Sequence, residues 1–425
     1  MNWKSVSFSL INLSVGFYLL MSCSSVVQKA EITSELENLN DADSNDSKAV
    51  DYISSPTITG ADQTTLYFPQ LTNKIIGVVA NNTSFIKKTH LVDSLLSIGI
   101  KVKIVFSPEH GFRGDQDAGV KVKHSVDLKT ELPIYSLHGQ TKKPSAKSLE
   151  GVDVMLFDIQ DVGVRFYTYI STLHYVMEAC AENNVKLIVL DRPNPNAHYV
   201  AGPVLDEKFK SFVGMHPVPV VYGMSIGEYA KMINGEYWLK DSLVCDLKVV
   251  RLGNWTYDKE YILPIPPSPN LSSQLSIYLY PHLCLFEGTS ISVGRGTPEP
   301  FEKYGHPLYR SHAYSFTPVS VVGKSSHPPF KNKKCFGKNL SSISLKQARA
   351  IKEFKLTYLM DARLNTTTDN FFAHTSFFNL LAGNDVLVNQ LKEGLTEVEI
   401  QQTWEQGLLN FNETRQKYLL YTETK

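Results

Sequence analysis

The sequence is poor in cysteine and has no excess of charge of either sign. Only five of its 425 residues are cysteine, which excludes a small scaffold held together by disulfides. There is no C-x-x-C pair, H-E-x-x-H motif or G-x-G-x-x-G fingerprint, so we expect no metal, nucleotide or flavin cofactor. The 42 Lys and Arg residues equal the 42 Asp and Glu residues. No net basic field therefore attracts nucleic acid or an anionic membrane.

The one long apolar run lies at the N-terminus. Lys4 precedes a largely apolar run over residues 6–21, which is short for a membrane span of about 20 residues and typical of a signal-peptide core. The run ends in Leu-Met-Ser-Cys at 20–23, which resembles the lipobox of bacterial lipoproteins. An ordinary signal peptide that happens to contain a cysteine is the alternative. The resemblance implies cleavage before Cys23 and a lipid anchor on it, and the serines that follow favour an outer membrane, facing the periplasm.

Length and composition divide the chain into four segments. Residues 1–23 form the predicted signal peptide. Residues 24–60 are rich in Ser, Asn, Asp and Glu and are predicted to be a flexible tether, because they carry too little apolar surface to fold. The remaining length exceeds what one core usually serves, and the proline-rich run 263–270 breaks any regular element. We therefore predict one domain over residues 61–262 and a second over residues 263–425.

Short apolar runs alternate with helical periodicity after residue 60. Strands are predicted at 75–80, 101–106, 154–159 and 186–190, and helices at 91–98 and 170–183. Strands rich in Val and Ile that are separated by helices are typical of a parallel sheet covered on both faces. The predicted fold class is therefore α/β with a doubly wound parallel sheet.

Polar side chains follow three of these strands. Ligands of an open parallel sheet bind beyond the carboxyl ends of its strands, so we expect the three loops to meet in one cleft. The candidate catalytic residues in these loops are Glu109, His110, Asp158 and Asp161. Alternatives remain open, because the two aspartates are also explained as helix caps.

Further polar residues are expected to bind the substrate. Those in the strand-end loops are Arg113, Gln160, Arg165, Tyr167, Asp191, Arg192 and Asn194. Those beyond the proline-rich run are Asn270, Glu287 and Arg295. Glycines on both sides of Arg295 let its guanidinium approach a ligand closely. Structural ion pairs, Asp191 with Arg192 and Glu287 with Arg295, explain these four residues equally well.

Several long motifs resemble one enzyme family. They are Ser-Pro-Glu-His-Gly-Phe-Arg-Gly at 107–114, Asp-Ile-Gln-Asp-Val-Gly-Val-Arg-Phe-Tyr-Thr-Tyr at 158–169, Asp-Arg-Pro-Asn-Pro at 191–195, Tyr-Gly-Met at 222–224, Pro-Pro-Ser-Pro-Asn at 266–270, Phe-Glu-Gly-Thr at 286–289 and Ser-Val-Gly-Arg-Gly-Thr-Pro at 292–298. With these motifs the chain resembles the exo-β-N-acetylmuramidases of glycoside hydrolase family 171 over about residues 70–425. The resemblance implies a Rossmann-like catalytic domain, a smaller C-terminal α+β domain that completes the cleft, and release of terminal N-acetylmuramic acid from the non-reducing ends of peptidoglycan fragments.

Glycosidic cleavage needs an acid that protonates the leaving oxygen and a second group that activates water or attacks the anomeric carbon. We expect Glu109 to be the acid, with His110 as a proton partner. The candidates for the second role are Asp158, Asp161, Asp191 and Glu287. The lactyl carboxylate of muramic acid calls for a guanidinium fork or backbone amides, and the candidate arginines are Arg165, Arg192 and Arg295. Asn194 and Asn270 are candidates for binding the acetamido group or ring hydroxyls.

Two other functions compete with this interpretation. Gly-Met-Ser-Ile-Gly at 223–227 matches the G-x-S-x-G motif of α/β-hydrolases, which would make Ser225 the nucleophile of a serine esterase. Ser225 and Glu228 also have the spacing of a capping box that opens a helix, and we favour this explanation. The other alternative is a non-catalytic lipoprotein that holds cell-wall glycan in the same cleft.

Overall fold

The computed structural model describes residues 56–113 and 125–422. The predicted signal peptide, Cys23 and most of the predicted tether lie outside these residues. The chain is already part of the fold at residues 56–60, because Ile58 forms a β-bridge with Gly253 and the N–H of Gly60 donates to the carbonyl of Asp191 at 2.8 Å. The folded part therefore begins inside the segment predicted as a tether. Backbone hydrogen bonds hold this stretch, and composition does not reveal them.

The first part of the chain is built on strands and short helices in alternation. The strands are β1 (Ile75–Ala80), β2 (Phe85–Ile86), β3 (Thr89–His90), β4 (Lys101–Ser107), β5 (Ser125–Val126), β6 (Pro133–Ser136), β7 (Val154–Asp158), β8 (Lys186–Leu190) and β9 (Leu247–Val250). The α-helices are α1 (Phe68–Leu71), α2 (Leu91–Ser97), α3 (Ala146–Leu149), α4 (Tyr169–Glu182) and α5 (Ile226–Gly235). The strands predicted at 75–80 and 186–190 are confirmed to the residue.

Seven of these strands form the central sheet, in the order β5-β6-β4-β1-β7-β8-β9. All neighbours are parallel except the edge pair of β5 and β6. Counted along the chain, the six parallel strands lie in the order 3-2-1-4-5-6, which is the order of a Rossmann-like doubly wound sheet. The predicted fold class is confirmed. The strand order reverses between β1 and β7, and this is where such sheets bind ligands.

The second part of the chain is α+β. It begins with α6 (Gln274–Leu283) and contains a small antiparallel sheet in the order β10-β12-β11, formed by β10 (Lys303–His306), β11 (Ser315–Phe316) and β12 (Cys335–Asn339). The helices that follow are α7 (Leu345–Ala350), α8 (Thr357–Asn365), α9 (Thr375–Ala382), α10 (Val386–Glu393), α11 (Glu397–Gln402) and α12 (Glu405–Gln416). No helix among the described residues is long and apolar enough to cross a membrane.

One apolar core joins the two parts. The largest cluster of buried hydrophobic side chains extends from Val79 on β1, through Phe157 and Leu279, to Phe411 on α12. Hydrogen bonds also join the two parts of the chain. The buried guanidinium of Arg415, on α12, donates from Nε and Nη2 to the carbonyl of Gly223 in the first part, at 3.0 and 2.7 Å. Because packed interiors resist deformation, the two walls of the cleft between these parts are held in fixed positions.

Candidate active site

Loops from both parts of the chain meet beyond β1 and β7. Asn81, which follows β1, donates from Nδ2 to the hydroxyl of Tyr169 at 3.0 Å. The hydroxyls of Tyr167 and Tyr169 donate to the carbonyl of Pro267 at 2.9 and 3.2 Å. These bonds attach the proline-rich loop to the carboxyl edge of the sheet, and the crevice beside them is the candidate active site.

Glu109 lies in the loop that follows β4. The backbone of His110 and Gly111 is left-handed there, with φ of 73° and 82°, so the chain turns sharply and both Glu109 and His110 reach the crevice wall. Glycine adopts this conformation freely, whereas a histidine in it is strained, as residues at functional sites often are. The side chain of Glu109 is 22% exposed, and its Oε1 lies 4.0 Å from Nε2 of His138.

The crevice contains a hollow of about 150 Å³, which we call the inner hollow. The predicted site residues on its wall are Glu109, His110, Tyr167, Asn270, Glu287 and Arg295. The apolar part of the wall includes Phe166, Tyr280, Phe301, Phe377 and Leu381. Carboxylates, one guanidinium and aromatic faces are the groups that bind and cleave a sugar. In the described part of the chain no cluster of His, Cys, Asp or Glu could hold a metal ion.

Glu287 and Arg295 form an ion pair on this wall. Nε of Arg295 donates to Oε1 of Glu287 at 2.5 Å, and the guanidinium carbon lies 5.2 Å from the centre of the Phe301 ring. Burial alone would lower the pKa of Arg295, but the carboxylate of Glu287 raises it. No described residue accepts from the two Nη groups of Arg295. They form a fork of donors that suits a second carboxylate.

Asn270 brings an unsatisfied acceptor to the inner hollow. Its side chain is 1% exposed, and its Nδ2 donates to the carbonyl of Lys324 at 2.9 Å. Its Oδ1 is buried and has no partner among the described residues. A buried acceptor without a donor costs free energy, so this oxygen is suited to accept an N–H from a bound ligand.

A larger hollow of about 560 Å³, which we call the outer hollow, adjoins the inner one. The two share Glu287, Arg295 and Phe377. The other side chains of the outer hollow include Phe286, Pro329, Phe330, Ala373 and His374. Phe377 is 38% exposed, and an accessible aromatic ring between two hollows is a suitable surface for stacking a sugar face.

Asp158 and Arg192 do not reach the inner hollow. Nε and Nη2 of Arg192 donate to the two carboxylate oxygens of Asp158 at 2.6 and 2.8 Å, and both side chains are buried. Burial alone would lower the pKa of Arg192, but the paired Asp158 raises it. This placement speaks against the predicted catalytic role of Asp158 and the predicted binding role of Arg192. Arg192 also pairs with Asp158 rather than with Asp191, the partner considered from the sequence.

Asp161, Gln160 and Asn194 hold the loops behind the site. Asp161 accepts from the Tyr222 hydroxyl and, at 2.7 Å, from the N–H of Gly163. Burial nevertheless raises its pKa to about 6. Gln160 donates to the carbonyls of Asp161 and Pro193, and Asn194 donates to that of Met224. All three side chains are buried and none of them lines the inner hollow, so their predicted catalytic and binding roles have no geometric support.

Asp191 and Ser225 belong to the start of α5. The hydroxyl of Ser225 accepts from the N–H of Glu228, whose carboxylate in turn accepts from the N–H of Ser225, so the capping box is confirmed. Asp191 accepts from the hydroxyls of Ser225 and Tyr421 and from the N–H of Gly227. Burial raises the pKa of Asp191 to about 6. Ser225 is fully buried, and no histidine of the described ranges forms a hydrogen bond with it, so these residues do not form the geometry of a serine esterase there.

The other two predicted arginines have structural partners. Arg165 is fully buried and donates to the carbonyls of Pro203, Val218, Leu381 and Ala382, and burial lowers its pKa to about 9. It therefore holds the end of α9, the helix that carries Phe377, and it lines neither the inner nor the outer hollow. Arg113 pairs with Asp127 at 2.7 Å and with Asp93 at 3.2 Å, and it does not line the inner hollow.

Sequence reasoning missed three residues of the site. His138 follows β6 and would have been found with the rule that identified Glu109, had β6 been recognised as a strand. Tyr280 and Phe377 lie on α6 and α9, where an aromatic residue in an apolar pattern indicates only a core position. Tyr280 contacts the ring of Phe301 edge to face, with centroids 5.0 Å apart, and so completes the aromatic wall of the inner hollow.

Comparisons with known proteins agree over most of the chain. The models of the N-terminal and C-terminal domains of the exo-β-N-acetylmuramidase NamZ match residues 76–275 and 278–421. The chain is 38% identical over 374 residues to the peptidoglycan β-N-acetylmuramidase NamZ of Bacillus subtilis strain 168, covering 84% of this chain and 89% of that protein. Two crystal structures of DUF1343 family proteins from Bacteroides fragilis NCTC 9343 are also similar. One has a TM-score of 0.81 at 46% identity and covers 87% of this chain and all of its own, and the other has a TM-score of 0.74 at 28% identity, with 86% and 99% covered.

Proposed function

The chain belongs to the exo-β-N-acetylmuramidase NamZ family, and we propose that it removes N-acetylmuramic acid from the non-reducing ends of peptidoglycan fragments. The family and the glycosidase class predicted from the motifs are confirmed by the two family models and by the Bacillus subtilis relative. The observation that carries the proposal is that Glu109 and the ion pair of Glu287 and Arg295 line the same sugar-binding hollow.

These positions support a role for each of the two carboxylates. Glu109 donates its proton to the glycosidic oxygen as the bond to the leaving sugar breaks. Of the four carboxylates considered for the second role, only Glu287 lines the hollow. Its carboxylate, paired with Arg295 at 2.5 Å, stabilises the positive charge that develops at the anomeric carbon, and either activates water or attacks that carbon.

Two further contacts select muramic acid. The two Nη groups of Arg295 have no acceptor among the described residues and match the lactyl carboxylate that distinguishes muramic acid from other hexosamines. The unpartnered Oδ1 of Asn270 accepts the N–H of the acetamido group. These two recognition elements lie on the same wall as Glu109, so the terminal sugar is held with its glycosidic bond at the acid.

Two isomeric disaccharides test the proposal. We expect the purified protein to release free N-acetylmuramic acid from N-acetylmuramyl-β-1,4-N-acetylglucosamine. The isomer with N-acetylglucosamine at the non-reducing end should stay intact, because its lactyl group is then on the wrong sugar. Mass spectrometry of the products measures both. A protein that binds the first disaccharide without cleaving it would be a glycan-binding lipoprotein, and the enzymatic proposal would be lost.

We also propose that the protein is a lipoprotein anchored through Cys23 in the outer membrane, facing the periplasm. The support is the sequence Leu-Met-Ser-Cys at 20–23. Labelled palmitate fed to cells that express the full chain should enter the wild-type protein but not the Cys23→Ser variant, and the variant should leave the membrane fraction. Cys180→Ser, which alters a buried thiol, serves as the control. Equal labelling of wild type and Cys23→Ser would rule the anchor out.

A further inference from the structure

A third hollow, of about 590 Å³, lies in the C-terminal part of the molecule, and we call it the basic hollow. Its wall carries the cationic side chains of Arg310, Arg363 and Lys392 and a single carboxylate, that of Asp369. Within the described part of the chain none of the three cations forms an ion pair. Three positive charges around one cavity, with one negative charge among them, favour an anionic ligand.

One buried polar group in the basic hollow lacks a partner, and one partly buried guanidinium has a weak one. The guanidinium of Arg363 is partly buried, which lowers its pKa, and its one hydrogen bond is a long one of 3.4 Å from Nη2 to the carbonyl of Lys392. Thr366 is 7% exposed, and its hydroxyl is buried without a partner among the described residues. Unpaired groups of this kind are costly in a folded protein. A carboxylate would satisfy both, since it accepts from a guanidinium and from a hydroxyl.

The basic hollow adjoins the active site along one segment of chain, residues 371–377. Phe377 lines both the inner and the outer hollow, Ala373 and His374 line the outer one, and Phe371, Phe372 and Thr375 line the basic one. Backbone hydrogen bonds fix this segment against the wall of the outer hollow, from the N–H of Ser290 to the carbonyl of Phe371 at 2.8 Å and from the N–H of His374 to the carbonyl of Gly288 at 3.2 Å. The three hollows are therefore neighbours along one segment that is hydrogen-bonded to the rest of the fold.

We infer that the basic hollow is a distal subsite that binds the carboxylate of the next muramic acid along a glycan strand, two sugars from the one that is released. The inference rests on the proposed function. A peptidoglycan strand alternates carboxylate-bearing muramic acid with neutral N-acetylglucosamine. With the terminal muramic acid at Arg295, the neutral sugar occupies the more apolar outer hollow, and the following carboxylate reaches Arg310, Arg363 and Lys392. Charged and neutral sugars alternate along the glycan strand. In the same order, the protein presents the cationic Arg295, the more apolar outer hollow and the cations of the basic hollow.

Substrate length tests this inference. The wild type should have a KM for the tetrasaccharide MurNAc-GlcNAc-MurNAc-GlcNAc that is lower than its KM for MurNAc-GlcNAc by about tenfold or more, the usual effect of a hydrogen bond to a charged group. The double variant Arg363→Met/Lys392→Met should lose this advantage and keep its kcat and KM for the disaccharide. Arg310→Met, a change at an exposed position, should reduce the advantage without risk to the fold. Lys346→Met, at an exposed position of the same part of the chain, is the matched control.

Further substrates identify the group that is bound. A tetrasaccharide whose inner lactyl carboxylate is converted to an amide should have the KM of the disaccharide. A second tetrasaccharide carries a stem peptide with free carboxylates on its inner muramic acid. Its KM should be low again if the peptide supplies the negative charge. Equal KM values for the disaccharide and the unmodified tetrasaccharide, or an undiminished advantage of the amide, would overturn the inference. Calorimetric titration of the same oligosaccharides into Glu109→Gln protein needs no turnover. It therefore separates a failure of the distal subsite from a failure of the proposed reaction.

Discussion

Glu109→Gln is expected to lower kcat for the MurNAc-GlcNAc disaccharide by about 1,000-fold, within the range that general acid catalysis contributes, with little change in KM. The amide keeps the size of the side chain and its place on the wall of the inner hollow, but it has no proton to give to the leaving oxygen. A sugar is a poor leaving group, so its departure depends on this proton. Initial rates of disaccharide hydrolysis by wild type and variant measure the effect.

The leaving group separates an acid from the other catalytic roles. With a 4-nitrophenyl muramoside, whose phenolate departs without protonation, Glu109→Gln should release the first equivalent of phenolate at most of the wild-type rate. Glu287→Gln should slow both substrates equally, because the group that acts at the anomeric carbon is needed whatever departs. Glu207→Gln, at an exposed glutamate outside the hollows, controls for the loss of a charge. If Glu109→Gln slowed both substrates to the same extent, Glu109 would not be the acid.

Strands buried on both faces were the most predictable part of the fold. Five of the six residues of β1 are buried, and in β8 the residues after Lys186 are buried, so each appears in the sequence as an unbroken apolar run with clear ends. Two of the six parallel strands of the central sheet were missed. β6 begins with a proline, which is tolerated at the first position of a strand but argues against one in the sequence. β9 is only partly buried and lacks the continuous apolar signal.

The candidate site was predictable only in part, because a sequence does not state which polar groups satisfy one another. Glu109 and Asp158 both follow predicted strands, and both were expected in the cleft. Asp158 meets Arg192 from the neighbouring strand end and is buried with it, whereas the left-handed turn at His110 and Gly111 carries Glu109 to the cleft wall. The pairing of side chains, and not their position after a strand, decides which of them remains available to a substrate.

The second large effect is expected when Arg295 is replaced, and it concerns the affinity for N-acetylmuramic acid. Arg295→Met should raise the inhibition constant of free N-acetylmuramic acid by about 100-fold, the loss expected when a fork of two hydrogen bonds to a charged group is removed. The inhibition constant of N-acetylglucosamine should change little, because that sugar has no lactyl carboxylate. The rate of catalysis should also fall, since Glu287 loses the guanidinium that pairs with it at 2.5 Å. Competition against a chromogenic muramoside gives both inhibition constants and kcat.

Arg295→Lys separates the two contributions of this side chain. Lysine keeps a positive charge beside Glu287, so kcat should recover toward the wild-type value. It cannot present two parallel N–H groups to a carboxylate, so weak binding of N-acetylmuramic acid should persist. Arg251→Met, at an exposed arginine that lines neither the inner nor the outer hollow, should change neither constant. A similar loss of affinity for both sugars in Arg295→Met would mean that the guanidinium only supports Glu287 and the wall around it, and the lactyl carboxylate would then need another partner.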